Sequence, residues 1–474
     1  MSRPLLSSPA WQVETRGLDA VPLQERRGGL RGVFAVWFAG NLAITSVVIG
    51  AVVASYGLSL VQSLVALLGV ASFVLVGCFA VPGMRTGTPT MALSQRTFGT
   101  WGNLAPSLLS WLNLVGWETV VLVIASYALA AVYQAAFHAR PGAPVLVGCL
   151  AVVACLAFSI AFLGHAAIVR LQVVFACLFG ALTVAVCVLL LPRIHWQALA
   201  GAHGGSWLTG VLPAFSIVVA ASGLSWVNMA SDYSRYLPAD TPATRLVWAT
   251  AAGGTIPVFA LMVLGVLLAS GVPSLASSAN PIGDLEGALP DWIRVVYLLT
   301  AVGGMVTGDV LDIYSAGLSL LAAGLRLARS RTVFVDAAVS IGASLYVLLV
   351  ARNVVGTFEA FLGVLAGVLA PWSAVFLLDL RRAGAKASAR PQKTVSFRWQ
   401  ACAAWLIGVV VSLCFTSTGV FTGPLALGVF RGSSLGFLLG FAVTLALYGA
   451  LQARSTRAGR TGRPATAQDD SRGP

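Results

Sequence analysis

The sequence predicts an all-α polytopic membrane protein with twelve transmembrane helices, and three observations carry that prediction. Of its 474 residues, 58% are hydrophobic and only 9% charged, where a soluble domain carries about 25% charged residues. Apolar runs of about 20 residues, the length that spans a bilayer, recur at roughly 33–55, 60–82, 104–136, 143–163, 167–191, 208–230, 246–271, 292–323, 333–351, 355–379, 399–418 and 433–452. The basic residues then fall on one side. With the N-terminus placed in the cytoplasm, 24 of the 29 Lys/Arg lie in cytoplasmic segments, and only Arg140, Arg193, Arg294, Arg352 and Arg431 lie across the membrane. This positive-inside bias predicts cytoplasmic N- and C-termini in a multi-pass protein of the cell inner membrane. The net charge of +13 is thus an orientation signal, not the footprint of a nucleic-acid partner.

The elements follow in order. Residues 1–30 form a polar cytoplasmic tail with no apolar stretch of signal-peptide length, expected to be disordered. Residues 31–380 form the core, read as two five-helix inverted repeats at about 33–191 and 208–380. A basic cytoplasmic loop (381–398), two additional helices (399–452) and a polar cytoplasmic C-terminal tail (453–474) complete the chain. The first helix of each half has a weak centre. The first span carries Gly40, Asn41, Thr45, Ser46 and Gly50, and the sixth carries Ala220-Ala221-Ser222-Gly223-Leu224-Ser225. Both are poor helix interiors by propensity. Unwinding there is tolerated only beside a cavity, the pattern of repeat-built transporters.

Three acids lie at membrane depth. Glu118 is the only charged residue between Asn103 and His138, and Asp309 and Asp312 are the only ones between Val295 and Leu325. Each costs roughly 2.5–3.5 kcal/mol on lenient insertion scales, so each is expected to face a protein interior or a water-filled cavity. They fall on the third helices of the two halves, equivalent places about a pseudo-two-fold axis. A buried acid can load and release a proton, and Glu118 and Asp309 are the candidates. Gly304, Gly308, Asp312 and Ser315 share one face of the eighth span. The glycines there let a neighbouring helix approach. Spacing leaves open which of Asp309 and Asp312 faces the cavity.

Beside Glu118, Trp117 and Asn113 are four apart and share a helix face. An aromatic wall with an amide suits a flat heterocycle; packing between helices is the competing reading. Trp226, after the weak centre that holds Ser225, is a second wall. The tryptophans near span ends, Trp196, Trp207, Trp292, Trp372 and Trp399 among them, read as an interfacial belt. Asp232-Tyr233-Ser234-Arg235-Tyr236-Leu237-Pro238 reads as a helix end with a local Asp–Arg pair, or as a gating contact. The seven cysteines sit in apolar spans without metal-ligand spacing and read as small buried side chains. No metal site, cofactor motif or catalytic pair stands out, so the chain does not read as an enzyme.

Several of these stretches resemble the nucleobase–cation symporter-1 family, in its bacterial purine/cytosine permease branch. They are Gly57-Leu58-Ser59-Leu60 with Gln62, Arg96-Thr97-Phe98-Gly99, Val115-Gly116-Trp117, Asp232 to Pro238, and Asp312-Ile313-Tyr314-Ser315-Ala316-Gly317-Leu318. The likeness runs from about Val21 to Asp379. It implies a leucine-transporter-like 5+5 inverted repeat plus two helices, and alternating access. It also implies import of a nucleobase, cytosine or a purine, with H⁺ or Na⁺ as coupling ion. By the same resemblance Trp117 and Trp226 sandwich the ring, Asp312 takes its polar edge, and Thr45 or Ser46 contributes from the first helix. Thr307 matches a hydroxyl of the sodium-coupled members. Two departures stand out: Val121 replaces an amide one turn after Trp117, and Val306 fills the slot beside Thr307. They shift the expectation toward protons. An acceptor-only carboxylate at position 312 favours donor-rich faces such as the amino side of cytosine. The alternatives weighed are a symporter for hydroxymethylpyrimidine, allantoin or hydantoin, and a channel or membrane enzyme.

Overall fold

The computed structural model describes residues 11–276, 281–350, 354–383, 395–418 and 421–461. Among them the chain is helical, with one isolated bridge between Ser417 and Thr422. The helices used below are α1 (Leu30–Gly40), α2 (Thr45–Ser55), α3 (Leu60–Thr86), α4 (Thr90–Phe98), α5 (Leu104–Phe137), α6 (Ala143–Leu163), α7 (His165–Leu190), α8 (Leu212–Ala221), α9 (Gly223–Trp226), α10 (Ala243–Leu268), α11 (Asp291–Ala322), α12 (Arg329–Leu349), α13 (Val354–Ala383), α14 (Trp399–Cys414) and α15 (Gly436–Thr461). Among the described residues ten helical segments are long and apolar enough to cross a membrane, and the bent pair α1–α2 makes an eleventh. The expected span at 399–418 corresponds to α14, apolar but only 16 residues long. At 1.5 Å per residue it reaches about 24 Å, less than the roughly 30 Å hydrocarbon core. The count of twelve is therefore not reached by length and composition.

α11 is the centre of the bundle. Buried residues make up 83% of its most apolar stretch, against 11% for the segment His165–Arg193. α11 is also among the least apolar of the spans, so its polar side chains are enclosed by protein and the lipid meets other helices. It packs most extensively on α5, and further on α6, α7, α12 and α1.

The first span breaks where its sequence is weak. α1 and α2 meet at 60° across residues 41–44. Asn41 closes α1, its Nδ2 donating to the Trp37 carbonyl at 2.8 Å. α11 rides on this break through glycines. A Cβ at Gly304 would lie 2.4 Å from the Leu42 carbonyl oxygen, and one at Gly308 would lie 2.8 Å from that of Gly40. Between them Thr307 donates its hydroxyl to the carbonyls of Ala39 and Gly304, at 2.7 and 2.6 Å. The glycine stripe thus serves close approach, as its spacing predicts.

The sixth span breaks at Ser222, between α8 and α9, and runs on as a 3₁₀ turn over Val227–Asp232. Ser222 bonds back to the Val218 carbonyl and Ser225 to that of Ala220. Ser72 of α3 supports the break from outside, bonding to the Ser222 hydroxyl and to the Gly223 N–H at 3.2 and 3.0 Å. Side-chain hydroxyls take up part of the hydrogen bonding that the interrupted helix gives up.

Three expectations are corrected. The N-terminal tail is not disordered from Trp11 on: it lies against one end of the bundle, with Glu14 N–H donating to the Leu163 carbonyl and Val21 N–H to that of Gly87, each at 2.9 Å. Trp372 is no belt residue; it is buried, and its indole donates to Ser94 Oγ at 2.9 Å. Trp196, Trp207, Trp292 and Trp399 are exposed, as a belt requires. Of the seven cysteines, all free, Cys155 and Cys177 face outward and only Cys149 is fully buried. Most of the expected basic loop, 384–394, and of the C-terminal tail, 462–474, lies outside the described residues.

Candidate substrate cavity

Both helix breaks open onto one interior cavity of about 50 Å³. The first break contributes Gly40, Asn41, Ala43, Thr45 and Ser46, and the second contributes Ala221, Ser225 and Trp226. α5 adds Trp117 and Val121, and α11 adds Gly308 and Asp312. Six of the seven candidate substrate residues therefore share one space. Asn113 does not. It is fully buried, and its Nδ2 donates to the Ser225 carbonyl at 3.4 Å, so it tethers α5 to the second break. Trp226 is braced from behind by Trp37, their rings edge to face at 5.6 Å and 81°, a favourable aromatic arrangement.

The structure separates the two aspartates. Asp312 lines the cavity and makes no hydrogen bond to another described residue, so its oxygens are available to donors entering the space. Asp309, one turn earlier, is fully buried away from it, and neither of its oxygens meets a donor. Glu118 is buried in the same way, with both oxygens lacking a donor. Thr307 also lies behind the wall, its hydroxyl spent on backbone carbonyls.

Two features escaped the sequence reading. The first is a fourth buried acid, Asp336 on α12, fully enclosed and bonded by the Trp111 indole of α5, the helix that carries Glu118. Its signal was present: it is the only charged residue between Arg331 and Arg352. The second is an ion cluster at the end of the bundle where the N-terminal segment lies. Glu14 Oε1 accepts from Arg235 Nη2 at 2.8 Å, Tyr236 OH at 2.6 Å and Tyr314 OH at 3.1 Å, and Oε2 accepts from the His165 N–H at 2.8 Å. Burial alone would raise the Glu14 carboxyl, but Arg235, Arg329 and the His165 N–H outweigh it and hold its pKa below the ordinary value. Arg235 thus pairs with Glu14, and the expected local Asp–Arg pair gives way: Asp232 accepts from the Thr90 N–H and hydroxyl at 2.8 and 3.0 Å. Between cluster and cavity, Tyr233 donates to the Leu311 carbonyl at 2.6 Å and meets Trp37 edge-on at 5.8 Å.

Residues 20–440 match the family model described as permease for cytosine/purines, uracil, thiamine, allantoin. The chain belongs to that family. It is a permease of the nucleobase–cation symporter type, not an enzyme. It is 27% identical over 462 residues to the putative purine-cytosine permease YxlA of Bacillus subtilis, covering 92% of this chain and 95% of that relative. The purine-cytosine permease FCY2 of Saccharomyces cerevisiae is 24% identical over 62% of this chain, which spans about half (52%) of the yeast protein's length. Among solved structures, the nucleobase-cation-symport-1 transporter Mhp1, in a closed conformation with bromovinylhydantoin bound, superposes with a TM-score of 0.69. The likeness covers 94% of this chain and 96% of that one at 16% identity. MhsT in complex with L-phenylalanine gives 0.57 at 12% identity, covering 90% and 99%. These likenesses establish the leucine-transporter-like fold.

Proposed function

We propose that this permease imports a nucleobase, cytosine or a purine, across the cell inner membrane together with a proton, by alternating access. The observation that carries the reading is the cavity, where two indoles and one free carboxylate meet at the two broken helices. Trp117 and Trp226 select flat rings, at roughly 0.5–1.5 kcal/mol beyond area burial for an aromatic pair. Asp312 accepts from ring or amino N–H groups, and Ser225, Thr45 and Ser46 complete the polar lining. Asn113 holds the second wall and does not touch substrate. The relatives in Bacillus subtilis and yeast, named as purine-cytosine permeases, point to the same substrates.

In this reading residues 33–191 and 208–380 are the two repeats, residues 399–452 are an addition, and both termini are cytoplasmic, as the placement of Lys and Arg supports. The Glu14 cluster then closes the cytoplasmic side. Proton coupling is supported by the buried acids near the cavity, and sodium coupling is disfavoured by Val306 beside Thr307. Uptake of labelled cytosine in competition with adenine, uracil, allantoin, hydantoin and hydroxymethylpyrimidine tests the substrate. Cytosine and purines should compete best; transport of none of the bases overturns the reading. Collapse of uptake when the proton gradient is dissipated in sodium-free buffer tests the ion, and full activity there excludes protons.

A further inference from the structure

We propose that the coupling proton is held between two carboxyls, Glu118 on α5 and Asp336 on α12, which act as one shared-proton site behind the substrate wall. This rests on the proton-coupled reading above and gives it a place.

The two acids come from helices far apart in sequence, and both are fully buried. The helices that carry them pack on each other, and Trp111, two turns before Glu118 on α5, reaches across to Asp336. The Trp111 indole donates to Asp336 Oδ1 at 2.8 Å and fixes that carboxyl in place. Asp336 Oδ2 and both Glu118 oxygens meet no donor among the described residues. Two carboxylates are acceptors only, so a hydrogen bond between them exists only when one carries a proton. The arrangement supplies an acceptor geometry whose missing donor is a hydrogen ion.

The surroundings offer no substitute for it. The charged groups that act on Glu118 are Asp336, Asp309 and Asp312, all acidic. α6, which also packs on α12, carries no charged residue at all. α5 carries no Lys, Arg or His, α11 carries only Arg294 near its start, and on α12 the basic residues are Arg329 and Arg331 in its first turn, where Arg329 bonds the Ala161 and Phe162 carbonyls. Like charges enclosed together in a low dielectric disfavour each other, so a proton on one of the pair is favoured.

The location couples the pair to substrate. Glu118 follows Trp117, a wall of the cavity, and Asp309 stands one turn from Asp312, which lines it. Both helices that hold substrate therefore also hold acids of this group. Loading forms one O–H bond on Glu118 or Asp336, with the other carboxylate accepting, and the pair keeps one negative charge. Release breaks that O–H bond to water when the site opens to the other side.

The test uses the full-length protein in proteoliposomes, with Glu118→Gln and Asp336→Asn. Substrate addition to the wild type should alkalinise the outside, one proton entering with each nucleobase. Both variants should lose that proton flux, and accumulation against a gradient should fall about ten-fold or more, within the usual range of site-to-site coupling. Asp336→Glu should restore part of both. Proton flux per nucleobase equal to wild type in either variant overturns the proposal. A second arm needs no substrate: the infrared carbonyl band of a buried protonated carboxyl should be present in the wild type at neutral pH and lost in both variants. If the wild type carries no nucleobase, the substrate reading falls while this band still decides the pair. Its persistence in a folded Glu118→Gln protein overturns the shared-proton site, even where Asp336→Asn fails to fold.

Discussion

Among the described residues, Glu14 and the acids around Glu118 keep opposite company. Glu14 is met by the guanidinium of Arg235, two tyrosine hydroxyls and a backbone N–H, with Arg329 over the Tyr314 ring at 4.7 Å. Glu118, Asp309 and Asp336 share a single donor, the Trp111 indole. A carboxylate with that much compensation stays charged and fixes what it touches. Acids without compensation can change state with little rearrangement, which is what a coupling site requires. In the reading proposed above, the first group closes one end of the path and the second holds the coupling ion.

Several measurements break or sharpen that contrast. The largest effect should come from Arg235→Ala, which strands the buried Glu14 charge. Removing one partner of a buried pair costs about 3–5 kcal/mol, so a clear fall in melting temperature in detergent is expected; an unchanged value would mean that the cluster closes nothing. Trp117→Ala should weaken nucleobase binding by about 2 kcal/mol or more, roughly thirty-fold, as for a buried aromatic anchor, with the melting temperature less affected than in Arg235→Ala. Equal affinity in a binding titration removes Trp117 from the site. Glu118→Gln removes an acid that has no basic partner. Its stability, read from the melting temperature, should therefore stay within about 1 kcal/mol of wild type, or rise. A loss as large as that of Arg235→Ala would erase the distinction between the two groups.

The smallest effect concerns pH. Glu14 has a folded-state pKa below its ordinary 4.5. Its stabilisation is therefore fully present above about pH 4.5 and is lost as pH falls through the lowered value. The melting temperature of wild type should drop below pH 4.5 more steeply than that of Glu14→Gln, and the two curves should run parallel at neutral and alkaline pH.

Much of this was legible in the chain. The weak centres at Asn41–Ser46 and Ala220–Ser225 mark the two breaks because glycine, serine and asparagine are poor helix interiors. The spacing of Gly304 and Gly308 marks the face of α11 that meets them. What spacing could not settle was rotation: Asp309 and Asp312 are separated by less than one turn, and only the packing of α1 against Gly308 decides that Asp312 reaches the cavity. Asn113 falls outside the cavity lining for the same reason, since a shared helix face does not fix which neighbour stands opposite. Asp336 and Glu14 were missed because each matters through partners distant in sequence. Asp336 sits near a span end, where an acid costs little in lipid, and Glu14 sits in a tail whose polarity alone suggested disorder.

The anchoring of residues 11–21 ties the leading segment into the bundle, so it is not a free handle. A fusion, affinity tag or trimmed start that draws Glu14 out of place would remove its four hydrogen bonds at once. A protein so altered could express and insert normally and still leak. Purification and reporter tags for this permease therefore belong at the far end of the chain, beyond α15.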